Sequence, residues 1–253
     1  MTIVVAYKIA ANPQDAHVAP DGAVDWSRAK EALSDYDPVA IALGRSLADA
    51  SGSELVGITV GPASINSPTL RKNVMARGLD RAVLVADDAV RDWPATQVGS
   101  ALAGLAGRLD EVDLVITGDA SVDEGVQLMP ALIAGHLGWP CFLGVAAAEP
   151  ITGGWRLTQA HEGGTRTVEV HGPAVISAAP DAIEPRTPGM KDILAAGKRP
   201  VEQLDLDALE VTPVAITVAG HRPAPVKERK HEVFSGDDAA AQLAAALRSA
   251  GAL

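Results

Sequence analysis

Short apolar runs rich in β-branched residues alternate with amphipathic helical patterns over the first 140 residues. The strand-like runs are residues 2–9, 55–60, 82–86 and 113–117. Helical segments, whose apolar residues recur at three- and four-residue steps, begin near residues 37, 67, 96 and 130. Because consecutive strands separated by helices pair in parallel, this order predicts an α/β fold with a doubly wound, mostly parallel sheet. Residues 10–24 are polar and rich in turn-forming residues, which predicts a loop.

The second half of the chain has a different pattern. Residues 163–164 are both glycine and precede the sequence Thr-Arg-Thr-Val-Glu-Val, which predicts a β-hairpin with a tight turn. The small apolar run at residues 173–179 predicts one more buried strand. Residues 184–189 include two prolines and a glycine, so they predict an irregular loop.

This loop leads to Met190, an apolar side chain that we expect to be exposed. Cationic residues follow it closely: Lys191, Lys198 and Arg199. An exposed thioether among cations is more typical of a docking surface than of a catalytic site.

Composition excludes several classes of function. The formal net charge of −11 argues against nucleic acid or an anionic membrane as a partner. The single cysteine, Cys141, excludes an intrachain disulfide, and its apolar neighbours indicate a buried hydrophobic role. No apolar run approaches the length of a membrane span, and no cationic leader precedes the first strand. We therefore expect a cytoplasmic protein without membrane insertion.

Motifs for common catalytic chemistry are missing from the sequence. It contains neither the glycine-rich dinucleotide fingerprint nor the phosphate-binding loop, and neither a nucleophile elbow nor Cys-x-x-Cys. His136 and His161 have no paired ligand at metal-binding spacing, so we predict no metal site. We expect no catalytic residues in this chain.

The carboxyl ends of the predicted strands indicate a binding crevice, because ligands of doubly wound sheets bind there. The residues at these ends are Ala6, Lys8, Val60, Gly61 and the loop at residues 118–129. The helix that follows starts near Pro130, so the N–H groups of Leu128 and Met129 are free to bind an anion such as a phosphate. Three acidic residues of the same loop would repel a phosphate that they faced: Asp119, Asp123 and Glu124.

Several short motifs recur in one known family. They are Gly-Gly at 163–164, Pro-Ala-Val at 173–175, Glu-Pro-Arg at 184–186, Gly-Trp-Pro at 138–140, Gly-Pro-Ala at 61–63 and Arg-Gly-Leu-Asp-Arg at 77–81. Together they resemble the beta subunit of electron transfer flavoproteins, and the chain is similar to a divergent member of that family.

The resemblance implies an adenine-nucleotide-hydrolase-like fold and a heterodimer. An electron transfer flavoprotein alpha subunit would hold the redox FAD, and this chain would form one wall of the FAD site. Residues 1–200 would form the nucleotide-binding domain, with the hairpin and a recognition loop at 180–200. Residues 201–253 would form an extended C-terminal arm that packs on the partner subunit.

The recognition loop implied by the resemblance docks flavin-containing dehydrogenases, acyl-CoA dehydrogenases among them. Met190 would be the apolar anchor of this contact. The residues around the anchor would be Glu184, Pro185, Arg186 and Lys191.

The resemblance also implies a structural AMP in the crevice, or a second FAD as in bifurcating relatives. Asp123 matches the family's acidic residue, whereas Leu128 and Met129 replace its Gln-Thr or Gln-Val pair, with Gln127 one place earlier. Ser34, followed by aspartate, replaces the family's Asn-Pro near the adenosine. Three alternatives stay open: a bifurcating subunit with its own FAD, a stand-alone adenine-nucleotide sensor, and a subunit whose pocket holds no ligand.

Overall fold

A computed structural model describes residues 1–213, 216, 219, 225 and 231–253. These residues contain thirteen strands and six α-helices. The strands are β1 (Thr2–Ala6), β2 (Ile9–Ala11), β3 (His17–Val18), β4 (Val24–Asp25), β5 (Glu31–Leu33), β6 (Glu54–Gly61), β7 (Arg81–Ala86), β8 (Val112–Thr117), β9 (Cys141–Ile151), β10 (Gly154–His161), β11 (Gly164–His171), β12 (Ala174–Ala178) and β13 (Val201–Gln203). The helices are α1 (Asp37–Ser51), α2 (Pro68–Met75), α3 (Ala95–Gly107), α4 (Met129–Leu137), α5 (Met190–Ala196) and α6 (Ala239–Ser249).

The chain divides into two compact units, residues 1–217 and 218–253. A nine-stranded sheet in the order β11-β10-β9-β12-β8-β1-β6-β7-β13 organises the first unit. In this sheet order, all neighbouring strands from β9 through β8 and β1 to β13 pair in parallel. The remaining two strands, β10 and β11, add an antiparallel edge next to β9. The doubly wound α/β fold predicted from the sequence is confirmed.

Successive side chains of the central strand β1 point to opposite faces of the sheet, and both faces are covered by helices. Ile3 and Val5 of β1 point into one core cluster, which includes residues of α1, α2 and α5. Val4 and Ala6 point into the other cluster, which includes residues of α3 and α4. A strand that is buried on both sides reads as a continuous apolar run, as β1 does.

The helix boundaries follow local signals in the sequence. Proline stands in the first turn of α1, α2 and α4, where its missing N–H costs nothing. Gly138 ends α4 with a φ of 69°, a left-handed conformation that glycine adopts without strain.

The predicted hairpin is formed by β10 and β11, which pair from Gly154 opposite His171 to His161 opposite Gly164. Trp155 anchors β10 to the core, because its side chain is fully buried and its indole N–H donates to the carbonyl oxygen of Asp113 at 3.3 Å. The predicted buried strand at 173–179 is β12, which pairs with β8 and β9.

Residues 10–24, predicted as a loop, contain short strands as well as turns. Ile9–Ala11 pairs with Glu31–Leu33, and His17–Val18 pairs with Val24–Asp25, both antiparallel. These strands are two or three residues long and mostly exposed, so they have no apolar alternation that a sequence pattern could reveal.

The second unit contains α6, which begins at Ala239. The extended course predicted for the arm falls largely on positions 214–230, most of which lie outside the described residues. None of the described helices combines the length and apolar character needed to cross a membrane.

Candidate functional site

The strand order changes direction at β1, because the chain adds β6 and β7 on one side and then β8 on the other. The carboxyl ends of β1, β6 and β8 meet at a cavity of about 180 Å³. Such a switch point is where ligands of open α/β sheets bind.

Five of the residues predicted for binding line this cavity. They are Ala6, Lys8, Val60, Gly61 and Met129. The remaining four, which do not line it, are Ser34, Asp123, Gln127 and Leu128. Three of these four belong to the loop at 118–129, and Ser34 forms a hydrogen bond to that loop at Val122.

Ser34 is fully buried, and its Oγ accepts a hydrogen bond from the backbone N–H of Val122 at 3.2 Å. Gln127 donates its side-chain amide to Asp119 Oδ2 at 2.8 Å. Leu128 precedes α4 and is 56% exposed. The side-chain amide that the sequence suggested for a phosphate is therefore already engaged by a carboxylate.

Lys8 is also engaged within the loop. Its Nζ lies 2.8 Å from Asp123 Oδ2 and 3.8 Å from Glu124 Oε1. The lysine charge is thus compensated by two carboxylates, and less of it is available to an anionic ligand.

Asp37 is the main residue of this site that the sequence pattern did not single out. It is 4% exposed, and its Oδ2 accepts the backbone N–H of Lys8 at 2.7 Å. Burial raises its pKa to about 7, although hydrogen bonds from the backbone of Lys8 and Gly118 act in the opposite direction. Asp37 therefore ties the ends of β1 and β8 to the start of α1.

The local sequence accounts for Asp37 without any role in a site. An aspartate followed by proline at the start of a helical pattern is typical of the first turn, where its charge interacts favourably with the helix dipole. Its position between the ends of β1 and β8 depends on pairing between distant segments.

Tyr7 lies beside this carboxylate at the same cavity. Burial, followed by the charge of Asp37, raises the pKa of the Tyr7 hydroxyl. The phenol therefore stays protonated at neutral pH.

The lining of the cavity combines apolar and acidic side chains. The apolar ones include Val60, Val90, Trp93, Val98, Leu102 and Met129. The polar ones include Asp37, Asp119, Glu124 and Ser121. The Ser121 Oγ is buried and has no hydrogen-bond partner among the described residues.

The residues present do not fit a phosphate dianion. The unprotected N-terminus of α4 is favourable to an anion, since no side chain caps it. Three features disfavour a phosphate at the cavity: its three carboxylates, the pairing of Lys8 with Asp123, and the hydrogen bond that holds Gln127 to Asp119. The cavity is also smaller than the roughly 300–1,000 Å³ that drug-sized ligands occupy, so a ligand as large as FAD would extend beyond it.

The predicted docking residues form a separate surface. Met190 is the first residue of α5 and is 74% exposed. Arg186 donates to Asp192 Oδ2 at 2.6 Å, and the same oxygen accepts the backbone N–H of Gly189 at 2.8 Å. None of the docking residues Glu184, Pro185, Arg186, Met190 and Lys191 lines the switch-point cavity.

Neither a reactive cysteine nor a metal site is found among the described residues. Cys141 is half-buried rather than fully buried, and burial raises the pKa of its thiol, which disfavours the nucleophilic thiolate. Within the described part of the chain, no three histidine, cysteine, aspartate or glutamate side chains are grouped to hold a metal ion.

Most of the chain matches the sequence model of a known protein family. The model of the electron transfer flavoprotein domain matches residues 21–209. This span is about three quarters of the chain and includes the hairpin, α5 and most of the cavity. The chain belongs to the electron transfer flavoprotein family.

Electron transfer flavoproteins are electron carriers rather than catalytic enzymes, and they work with flavin and with partners of the flavoprotein type. The absence of catalytic residues from this chain stays a prediction. In such a protein the cofactor performs the redox chemistry, while the polypeptide supplies binding, orientation and contact surfaces.

Proposed function

We propose that this chain is the beta-type subunit of a heterodimeric electron transfer flavoprotein. In this proposal an alpha subunit holds most of the FAD, and the present chain completes the wall of the FAD site. It also provides the contact for flavin-containing dehydrogenases, from which the complex accepts electrons. The observation that carries the proposal is an exposed apolar face on α5.

Three side chains of α5 form this face, which we call the docking face: Met190, Ile193 and Leu194. They stand at positions i, i+3 and i+4 and therefore share one side of the helix. Their exposed fractions are 74%, 38% and 68%. Apolar side chains grouped on a surface are a common mark of a protein interface.

The docking face is held in place before any partner arrives. Asp192 caps the N-terminus of α5, because its carboxylate accepts a hydrogen bond from the backbone N–H of Gly189. The same carboxylate also pairs with Arg186. At the other end Arg199 Nη1 donates to the carbonyl oxygens of Met75 and Leu79, at 2.7 and 2.6 Å. A preorganised surface loses less conformational entropy when it binds, which favours fast and specific docking.

Cations near the docking face suit a partner with an acidic rim. Lys191 is exposed beside Met190 and Lys198 follows the helix, whereas the exposed Arg186 is paired with Asp192. The chain as a whole carries a formal charge of −11, so these cations distinguish the docking face from the average surface. Local charge of this kind steers encounter and sets orientation more than it adds affinity.

The alternative of a bifurcating subunit with a second FAD receives no support from the cavity. The carboxylates that line the cavity oppose a pyrophosphate, and a dinucleotide would extend beyond its volume of about 180 Å³. The alternative of a stand-alone nucleotide sensor gives no reason for an exposed docking face.

Replacement of Met190 by aspartate tests the proposal. We expect the rate of electron transfer from a substrate-reduced flavin dehydrogenase to the complex to fall at least tenfold, because a charge replaces the apolar anchor. The measurement is stopped-flow absorbance of the flavin, with flavin content determined in parallel. Met190→Leu should retain the rate, since it keeps an apolar side chain of similar size.

The matched control is Val18→Asp, which places the same charge on another exposed apolar residue, one that is 62% exposed. It should leave the rate unchanged. Equal rates for the wild type and Met190→Asp would sink the assignment of the docking face.

A further inference from the structure

A second cavity, of about 670 Å³, adjoins the docking face. Its lining comes from α1, from the turn at 76–80 that follows α2, and from the loop at 183–188 that leads to α5. Two of its lining residues, Pro188 and Asp192, bracket Met190 in the sequence. A partner that covers Met190 therefore also meets the rim of this cavity.

Four arginines line this cavity, which we call the arginine pocket: Arg45, Arg77, Arg186 and Arg199. Two of them are paired with carboxylates of the chain. Arg45 Nη2 lies 2.9 Å from Asp49 Oδ1, and its Nη1 lies 3.0 Å from Asp80 Oδ2. Arg186 Nη2 lies 2.6 Å from Asp192 Oδ2. These two positive charges are compensated before a partner arrives.

Arg77 differs from these two arginines. Its guanidinium has no carboxylate partner among the described residues, and its Nε is buried without a hydrogen-bond partner there. Burial lowers the pKa of Arg77, while the charge of Asp35 acts in the opposite direction. A cation that has lost water without gaining an ion pair is stabilised by any anion that reaches it.

The position of Arg77 relative to the docking face is fixed by Arg199. This residue follows α5, and its Nη1 donates to the carbonyl oxygens of Met75 and Leu79 at 2.7 and 2.6 Å. The two carbonyls flank Arg77 in the sequence, so the end of the docking helix holds the turn that carries it. An anion bound at Arg77 therefore has a defined position beside α5.

The remaining charges of the lining favour an anion with a single charge. Glu184 is exposed at the pocket and has no ion pair among the described residues. Together with Asp80 it repels a doubly charged phosphate more strongly than a carboxylate. The planar fork of a guanidinium also matches the two oxygens of a carboxylate through parallel N–H donors.

We propose that the arginine pocket receives a carboxylate side chain of the flavin dehydrogenase that docks on α5, and that Arg77 binds it. Met190 supplies the apolar anchor and Arg77 the charged contact beside it, so the two together fix the position and the orientation of the partner. This inference rests on the proposed docking role of α5 and adds to it a residue that determines specificity.

Replacement of Arg77 by methionine tests the inference, because it removes the charge and keeps an unbranched side chain. The steady-state rate of a flavin dehydrogenase is measured against the concentration of the electron transfer flavoprotein complex, with a dye as final electron acceptor. We expect the KM for the complex to rise at least tenfold, with kcat changed less than twofold. Arg77→Lys, which keeps the charge, should hold the KM within threefold of the wild type. An unchanged KM for Arg77→Met overturns the inference.

The dependence on salt distinguishes a charged contact from a loss of structure. For the wild-type complex kcat/KM should fall as sodium chloride is raised from about 25 to about 250 mM, because salt screens the pair during encounter. The decline should be shallower for Arg77→Met, while flavin content stays equal to that of the wild type. Equal slopes for the two complexes would contradict an ion pair at Arg77.

The matched control is Arg71→Met, which removes the same charge from α2 outside the arginine pocket. It should change the KM less than twofold, and a rise equal to that of Arg77→Met would overturn the assignment to Arg77. Met190→Asp, measured in the same assay, separates the two claims. If only Met190→Asp raises the KM, the docking role stands and the inference at Arg77 falls, whereas both fall if neither variant does.

Discussion

Replacing Asp37 by asparagine probes the charge balance at the switch point. In the folded chain burial raises the pKa of this carboxyl to about 7, compared with 3.8 for an ordinary aspartate. Between these pH values the folded chain keeps a proton that the unfolded chain has released. The free energy of unfolding therefore falls by about 1.4 kcal/mol per pH unit, as linkage requires.

The loss summed over this interval is about 4 kcal/mol, and it is complete once the pH exceeds about 7. The groups that face Asp37 are the backbone N–H groups of Lys8 and Gly118, the charges of Lys8 and Asp123, and the phenol of Tyr7. Stability from this group is thus fully present below pH 3.8 and lost as the pH rises to 7.

Asparagine does not ionise and should abolish this contribution. Its amide nitrogen cannot accept a backbone N–H, so we expect Asp37→Asn to be less stable than the wild type at pH 4.5, by about 1–3 kcal/mol. The difference should shrink or change sign by pH 8, because only the wild type loses stability over this range.

The assay is urea unfolding followed by far-ultraviolet circular dichroism at pH 4.5, 5.5, 6.5 and 8. The exposed Asp207→Asn is the control, and its curve should run parallel to that of the wild type. Parallel curves for the wild type and Asp37→Asn would refute the reasoning about the buried carboxylate.

Three further variants test packing. Gly118→Ala should cost about 1–3 kcal/mol in thermal unfolding, because its Cβ would lie 2.5 Å from Asp37 Oδ1, whereas Gly107→Ala, with open space around it, should cost nothing. Trp155→Ala should cost about 3–5 kcal/mol in urea unfolding, since the side chain is fully buried, and an equal effect at the 39%-exposed Trp26 would contradict this account. Arg199→Ala should speed amide hydrogen exchange across α5 at least tenfold without changing exchange in β1, because it removes both bonds that hold the helix end.

Much of the fold could be predicted because its signals are local. The β-branched runs, the proline at the start of α4 and the glycine at its end each determine an element within a few residues. The glycine at 163, with a φ of 88°, marks the hairpin turn in the same way. The alternation of these elements was then enough to predict a parallel sheet.

The candidate site was harder to predict because its chemistry depends on partners that are distant in sequence. Lys8 was predicted as a binding residue at the end of the first strand, and only the fold brings Asp123 Oδ2 within 2.8 Å of its Nζ. Gln127 looked like an amide donor, but it is bound to Asp119. No motif in the sequence marks Trp93, which the structure places in the lining of the cavity.

Co-expression of this chain with its candidate alpha subunit, followed by extraction of cofactors from the purified complex, tests the central claim most directly. The account predicts a stable heterodimer with one FAD and no AMP. Two FAD per heterodimer would contradict the conclusion that the carboxylates of the cavity oppose a pyrophosphate. The absence of any flavin-containing complex would contradict the proposed role as an electron transfer flavoprotein subunit.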